Sequence, residues 1–190
     1  MSRKSRWVCW HWYNGDKENV PFNPVTGRDG FKDKESRTSF DRAFAEWQAH
    51  PDQCHGVGIV LAPAMRRVVL DFDKCRDRIT GRIDDAALEI ARFFDSYTDI
   101  SPSATGFKIF IQAIGPGHDK VIMFEGQKIE VLSDRFVTVT GQRHLDFPAS
   151  INERQAQLDS LLANAQQTHR SPLLDPNKEY SALLSDDEVI

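Results

Sequence analysis

Apolar and polar positions alternate along the chain in short runs that predict strands, interrupted by three stretches with helical spacing. Trp7-Val8-Cys9-Trp10-His11-Trp12-Tyr13 is aromatic and β-prone and predicts a first strand. Pro21-Phe22-Asn23-Pro24-Val25-Thr26-Gly27 carries two prolines, Asn and Gly and predicts a structured loop. Apolar residues at 40, 43, 44 and 47 follow the i, i+3, i+4, i+7 pattern of a helix, with Ser36, Thr38 or Ser39 available to cap it. Residues 56–61 form a second strand, Ala62–Met65 a turn, and Val68-Val69-Leu70-Asp71-Phe72-Asp73 a third strand, the two strands being predicted to pair as a hairpin. Residues 84–97 predict an amphipathic helix with Ala87, Leu88, Ala91 and Phe94 on one side and Asp84 and Asp85 at its N-terminus. In the strand over 107–111, Lys108 and Phe110 share one face and Phe107, Ile109 and Ile111 the other. Lys128–Leu132 predicts a strand with Arg135–Gly141 as its hairpin partner, and residues 151–167 predict a surface helix. Short strands joined by hairpins and mixed with helices make the expected class α+β.

The domain expectation is one unit over residues 1–165, followed over 166–190 by a linker and the start of a helical domain. From His169 the composition changes: Pro172, Asp175, Pro176 and Asn177 read as linker, and Ser185 followed by acidic residues reads as a new helix start. The expectation is therefore a fragment of a longer protein. The 190 residues carry 40% hydrophobic and 27% charged residues, the balance of an ordinary globular protein. A net charge of −4 offers no bulk support for nucleic-acid binding and leaves room for a local basic cleft. The apolar runs are too short for a membrane span, and the basic N-terminus lacks an apolar signal core, so the expectation is a cytoplasmic protein. Cys9, Cys54 and Cys75 are too few and scattered for a disulfide framework; with no CxxC pair, reduced and partly buried thiols are expected. The three tryptophans near the N-terminus suit a base-stacking platform or a packed strand face, and two of them are assigned to the core.

Candidate chemistry centres on Asp71 and Asp73. In a continuous strand, side chains at i and i+2 share a face, with roots roughly 7 Å apart. Like charges so close need a counter-charge, and oxygen-only donors suit Mg²⁺ or Mn²⁺. The alternative is an acidic strand end neutralised by Lys74, Arg76 and Arg78. Two further features stand on strands: the Ser-x-x-Gly-x-Lys turn leading to Lys108, and Glu130 among apolar neighbours. Together these supply three carboxylates for two cations, with hydroxyls, backbone N–H groups and a lysine for phosphate. Those are the parts of metal-assisted nucleotidyl transfer.

The motifs occur in a fixed order: an apolar run into Asp71-x-Asp73, then Ser101-Pro-Ser103-x-Thr105-Gly106-x-Lys108, then Glu130, then Arg135-Phe-x-Thr-Val-Thr140-Gly141. In that order and spacing, over about residues 7–150, the chain resembles the catalytic domain of the archaeo-eukaryotic primase superfamily. More narrowly it resembles the primase-polymerases of phages, plasmids and mobile elements. The Pro21–Gly27 loop and the Ser96–Ser103 segment are similar to theirs as well. The resemblance implies a two-module fold, with one RNA-recognition-motif-like sheet and the active site in the cleft between modules. It implies that Asp71, Asp73 and Glu130 are the catalytic, metal-binding triad for Mg²⁺ or Mn²⁺. Ser101, Ser103, Thr105, Gly106 and Lys108 would bind nucleotide, with Arg135, Thr140, Arg143 and His144 bordering the triphosphate or primer end. Its partners would be a DNA template and primer, a (d)NTP, and a following helical primase-accessory or helicase region. The chain departs from many members at one position, carrying Lys108 where they carry His. A lysine is a permanent point charge, which favours phosphate binding over proton transfer.

The expected function is template-directed DNA priming or polymerisation. A catalytically silent nucleic-acid-binding replication module is one alternative. A phosphohydrolase of the haloacid-dehalogenase type also opens on Asp-x-Asp, but needs a parallel sheet and Thr or Val where this chain has Cys75. A rolling-circle nuclease is set aside because the six histidines include no His-x-His pair.

Overall fold

The computed structural model describes residues 5–13, 18–32 and 37–166. Ser36 as a cap, and the linker and helix start expected beyond residue 166, lie outside these residues. The described chain is α+β, with three helices and two antiparallel sheets. One sheet has four strands: β1 (Trp7–Tyr13), β2 (Glu18–Phe22), β3 (Gly56–Val60) and β9 (Phe136–Val139), in the order β2-β1-β3-β9. The other has five: β4 (Arg67–Phe72), β5 (Thr98–Ile100), β6 (Phe107–Gln112), β7 (Lys120–Phe124) and β8 (Gln127–Leu132), in the order β5-β6-β4-β8-β7. The ladders between these strands are all antiparallel. That pattern does not suit the parallel sheet a dehalogenase-type phosphohydrolase requires.

Two expected hairpins do not form. β3 and β4 lie in different sheets, and so do β8 and β9. Between β3 and β4 the chain makes a short 3-10 turn over Pro63–Met65, and Arg66 adopts a left-handed conformation with φ 50°, which redirects it to the second sheet. The two crossings run side by side, joined by a hydrogen bond from the Leu61 N–H to the Arg135 carbonyl at 2.8 Å. β8 instead pairs with β7, a strand the apolar pattern did not single out. Part of the expected N-terminal loop is also a strand: Pro21 sits in β2, opposite Trp10. β2 is an edge strand, where the missing proline N–H costs no ladder bond.

The main core lies on one face of the five-stranded sheet. Val68, Leu70 and Phe72 of β4, Phe107, Ile109 and Ile111 of β6, and Ile129 and Val131 of β8 point into it. Phe72 and Phe107 stack with ring centroids 4.7 Å apart, each burial contributing about 1.5–3 kcal/mol. Helix α2 (Asp85–Phe94) covers this face with Ala87, Ile90, Ala91 and Phe94. Helix α3 (Gln155–Gln166) adds Leu158 and Leu161, both essentially inaccessible, and packs that side on the core while Ala156, Asp159 and Ala163 face outward, as an amphipathic helix at the surface does; it begins at Gln155, four residues later than expected. Helix α1 (Phe40–Ala49) packs its Ala43 and Trp47 against Cys9 and Val57 of the other sheet, and Ser39 caps it, the side chain accepting from the Arg42 N–H at 3.3 Å. Trp10 is buried, with its indole N–H donating to the Val57 carbonyl, while Trp7 packs at the edge of the α1 cluster. All three cysteines are free and buried, and burial pushes the Cys75 thiol up to about 12. No helix among the described residues is long and apolar enough to cross a membrane.

Candidate functional site

β4 alternates its side chains between two environments. Val68, Leu70 and Phe72 face the main core. Val69 faces a smaller cluster with Leu61, Phe110, Leu132 and Val137, to which both sheets contribute. Asp71 follows Val69 on that same face. Its cross-strand partners are Lys108 on β6 and Glu130 on β8. Lys108 is in turn opposite Asp99 on β5, and Asp99 is bridged to Arg143. One row across the sheet therefore reads Arg143, Asp99, Lys108, Asp71, Glu130, with charges alternating until the last pair.

The centre of the row is an ion pair. Lys108 Nζ donates to Asp71 Oδ1 at 3.0 Å, with the two side chains only 9% and 16% exposed. Burial pushes the Asp71 carboxyl above the usual carboxylate range. The Lys108 charge and hydrogen bond pull it back, and the charges of Asp73 and Glu130 push it up further. Glu130 accepts from Lys128 Nζ at 2.7 Å and lies 3.9 Å from Arg135 Nη1. That hydrogen bond and the Glu130 charge push the Lys128 ammonium up. Asp73 lies outside the row. β4 ends at Phe72, Lys74 takes a left-handed turn with φ 56°, and Asp73 is exposed just beyond the strand. The i, i+2 strand geometry expected for the two aspartates thus stops one residue short. Among the described residues no group of three or more His, Cys, Asp or Glu side chains is gathered so as to hold a metal ion. Lys108 supplies the counter-charge to Asp71, and Lys128 that to Glu130. Arg76 is used elsewhere, donating to the Ala104 carbonyl at 2.7 Å.

The hydroxyl turn stands beside the end of β4. The Ser101 hydroxyl accepts from the Gly106 N–H at 3.1 Å and pairs with the Ser103 hydroxyl at 3.1 Å, which pairs with the Thr105 hydroxyl at 2.8 Å. Ala104 takes a left-handed conformation at the tip, with φ 60°. Gly106 is required by close approach: a Cβ there would run into the carbonyl oxygen of Phe72. This contact seats the turn against the residue preceding Asp73. Ser103 and Thr105 form a line of hydroxyls at its outer side, whereas Ser101 is buried.

The remaining predicted residues fall along the edges. Arg135 reaches Glu130, as above. Thr140, just after β9, donates its hydroxyl to the Ile100 carbonyl and its N–H to Asp99 Oδ2, both at 2.8 Å. Gln142 and His144 continue along the outer edge of β5, through Ile100 N–H to the Gln142 carbonyl and His144 N–H to the Thr98 carbonyl, each at 2.9 Å. Arg143 donates to the Phe147 carbonyl. His144 is occupied locally: its Nδ1 lies 3.9 Å from Asp146 Oδ2 and its ring packs on Phe147. Two residues of this region escaped the sequence reading. Lys128 is two residues from Glu130 and so shares its face of β8, a signal available in the sequence. Asp99 has no such local signal, because its partners Lys108 and Thr140 are set by strand pairing.

No family model matches the chain. Among curated proteins, the chain is 28% identical over 146 residues to the protein named DNA Primase-polymerase of Nitratiruptor phage NrS-1. The similarity covers 75% of this chain and 20% of that protein, so the chain spans about a fifth of the relative's length. The relationship to a phage primase-polymerase is thus a distant one.

Proposed function

We propose that this chain is the catalytic part of a template-directed DNA primase-polymerase, joining a (d)NTP to a 3′-hydroxyl with release of pyrophosphate. The observation that carries the reading is the in-register row of Lys108, Asp71 and Glu130 beside the Ser101–Gly106 hydroxyl turn, in a chain distantly similar to a phage primase-polymerase. In this reading the active site lies in a cleft between two modules, the five-stranded sheet being the RNA-recognition-motif-like one. Both sheets contributing to the Val69 cluster supports that placement.

The donor set fits a hard divalent cation in kind: the three carboxylates offer oxygen only, and burial, with the charges of Asp73 and Glu130 adding to it, raises the Asp71 carboxyl. Asp71, Asp73 and Glu130 would hold Mg²⁺ or Mn²⁺, which when bound lowers the pKa of the attacking hydroxyl and holds the in-line geometry. Lys108 has two roles. Before substrate arrives it neutralises Asp71 in a dry setting. When a triphosphate enters, its ammonium turns to phosphate oxygens and leaves the Asp71 carboxylate available. The Ser103 and Thr105 hydroxyls offer further donors to phosphate, and Arg135 adds a guanidinium next to Glu130. Arg143 and His144 belong to the wall near the primer end. DNA template and primer are the partners of this reading, in the replication of a mobile element, with a helical accessory or helicase region following in sequence.

One observation favours a second reading, a catalytically silent nucleic-acid-binding module. Asp71 and Glu130 are already paired to lysines, and the described residues gather no ready three-carboxylate site. The two readings separate in primer extension and de novo synthesis with labelled dNTPs and Mn²⁺. Incorporation by the chain, abolished by Asp71→Ala with Asp73→Ala, supports the polymerase. DNA binding without incorporation supports the silent module.

A further inference from the structure

We propose that Asp99 is a positioning residue of the nucleotide site, holding the segment that carries Thr140 and Arg143 against the strand that carries Lys108. The inference rests on the nucleotidyl-transfer reading of that site. Asp99 is 1% exposed, so its carboxylate is shielded from solvent. Its two oxygens are both used: Oδ2 accepts the Thr140 N–H at 2.8 Å and Oδ1 accepts the Tyr97 hydroxyl at 3.1 Å. Its backbone is bridged on one side to Arg143 and paired on the other with Lys108. One residue on the short edge strand of the five-stranded sheet thus fastens the segment leaving β9, which belongs to the four-stranded sheet. Thr140 adds a second fastening through its hydroxyl to the Ile100 carbonyl. An acid buried at this depth is costly unless its hydrogen bonds are made, which they are here.

Two effects of removing Asp99 oppose each other, and their signs discriminate between roles. If Asp99 acted only as a negative charge behind Lys108, neutralising it would tighten an anion site. If it positions, losing its acceptors leaves the half-buried Thr140 N–H without its partner, releases the segment, and loosens the site. Asparagine separates the two. Its amide oxygen can still accept the Thr140 N–H, and its NH₂ can donate to the Tyr97 oxygen, so the hold survives while the charge is lost.

The test uses the 190-residue chain, with dATP binding in Mn²⁺ measured by calorimetry and steady-state primer extension measured in parallel. Asp99→Ala is expected to raise both the dATP Kd and KM by roughly tenfold, the size of one charge-assisted hydrogen bond, with kcat little changed. Asp99→Asn is expected to restore binding to the wild-type value or tighter. Tyr97→Phe, which keeps the ring and removes one donor, is expected to weaken binding by less. Unchanged Kd and KM in Asp99→Ala overturn the proposal, as does a fall in kcat alone. An Asp99→Asn as weak as Asp99→Ala also overturns it. If Asp99→Ala does not fold, Tyr97→Phe decides, and an unchanged Kd in that variant overturns the proposal. A wild-type chain that does not bind dATP refutes the nucleotide site itself, an outcome distinct from binding that is insensitive to Asp99.

Discussion

Lys108→Met tests the central ion pair through stability alone, independently of any activity. Methionine keeps the apolar stem and removes the ammonium. Asp71 is then left 16% exposed, with no hydrogen-bonded cation and with the charges of Asp73 and Glu130 nearby. Removing one partner of a buried pair costs about 3–5 kcal/mol when the remaining charge stays ionised. Protonation of Asp71 offers an escape, because burial and the charges of Asp73 and Glu130 push its carboxyl up. We therefore expect a loss of about 3 kcal/mol at pH 8, or a fall in Tm of roughly 6–12 °C for a domain of this size. In the variant the folded-state pKa of Asp71 lies above its unfolded value, so protonation favours the folded chain. That contribution is fully present below the unfolded carboxylate pKa and is lost as pH rises through the folded one. The gap between wild type and Lys108→Met should accordingly shrink between pH 8 and pH 5.5. Urea denaturation at the two pH values reads both effects. A variant as stable as wild type at pH 8, or a loss equal at both pH values, would refute the buried pair.

Two packing features give further tests. Gly106→Ala sets a methyl group against the Phe72 carbonyl, a backbone atom that cannot swing away, and should cost about 1–3 kcal/mol in denaturant titrations; no loss would mean the turn does not sit against β4. Leu158→Ala on α3 should cost about 2–5 kcal/mol because the side chain is fully buried, whereas Ile151→Ala, 39% exposed, should cost far less. Equal small effects at both positions would mean that α3 does not pack on the core.

The faces of the central strands were legible from sequence because they depend only on alternation. Val68, Leu70 and Phe72 had to part from Asp71, and Lys108 with Phe110 had to part from Phe107, Ile109 and Ile111. Both separations appear in the two clusters. Strand partnership was not legible, because it depends on where the chain goes next. Ala62–Met65 has the length and proline of a hairpin turn, and nothing local shows that the 3-10 turn and left-handed Arg66 send the strand to another sheet. β7 escaped notice because Lys120-Val-Ile-Met-Phe124 has apolar residues on both parities, and two of them, Val121 and Met123, stand exposed at the sheet edge. The site follows the same division. Asp71, Glu130 and Lys108 were recognisable as chemistry-bearing residues. That Lys108 rather than Lys74, Arg76 or Arg78 would neutralise Asp71 depends on a contact between residues 37 apart. The Asp99–Thr140 bond spans 41 residues and was equally out of reach.

Asp71, Asp73 and Glu130 are proposed to serve template-directed nucleotidyl transfer. The decisive measurement is primer extension in Mn²⁺ with one labelled dNTP at a time on templates that differ in a single base. The wild-type chain is expected to add the nucleotide complementary to that base, and Asp71→Ala with Asp73→Ala, and separately Glu130→Ala, to abolish the addition while the variants remain folded. Incorporation that ignores the template base, or that survives loss of these carboxylates, would contradict it.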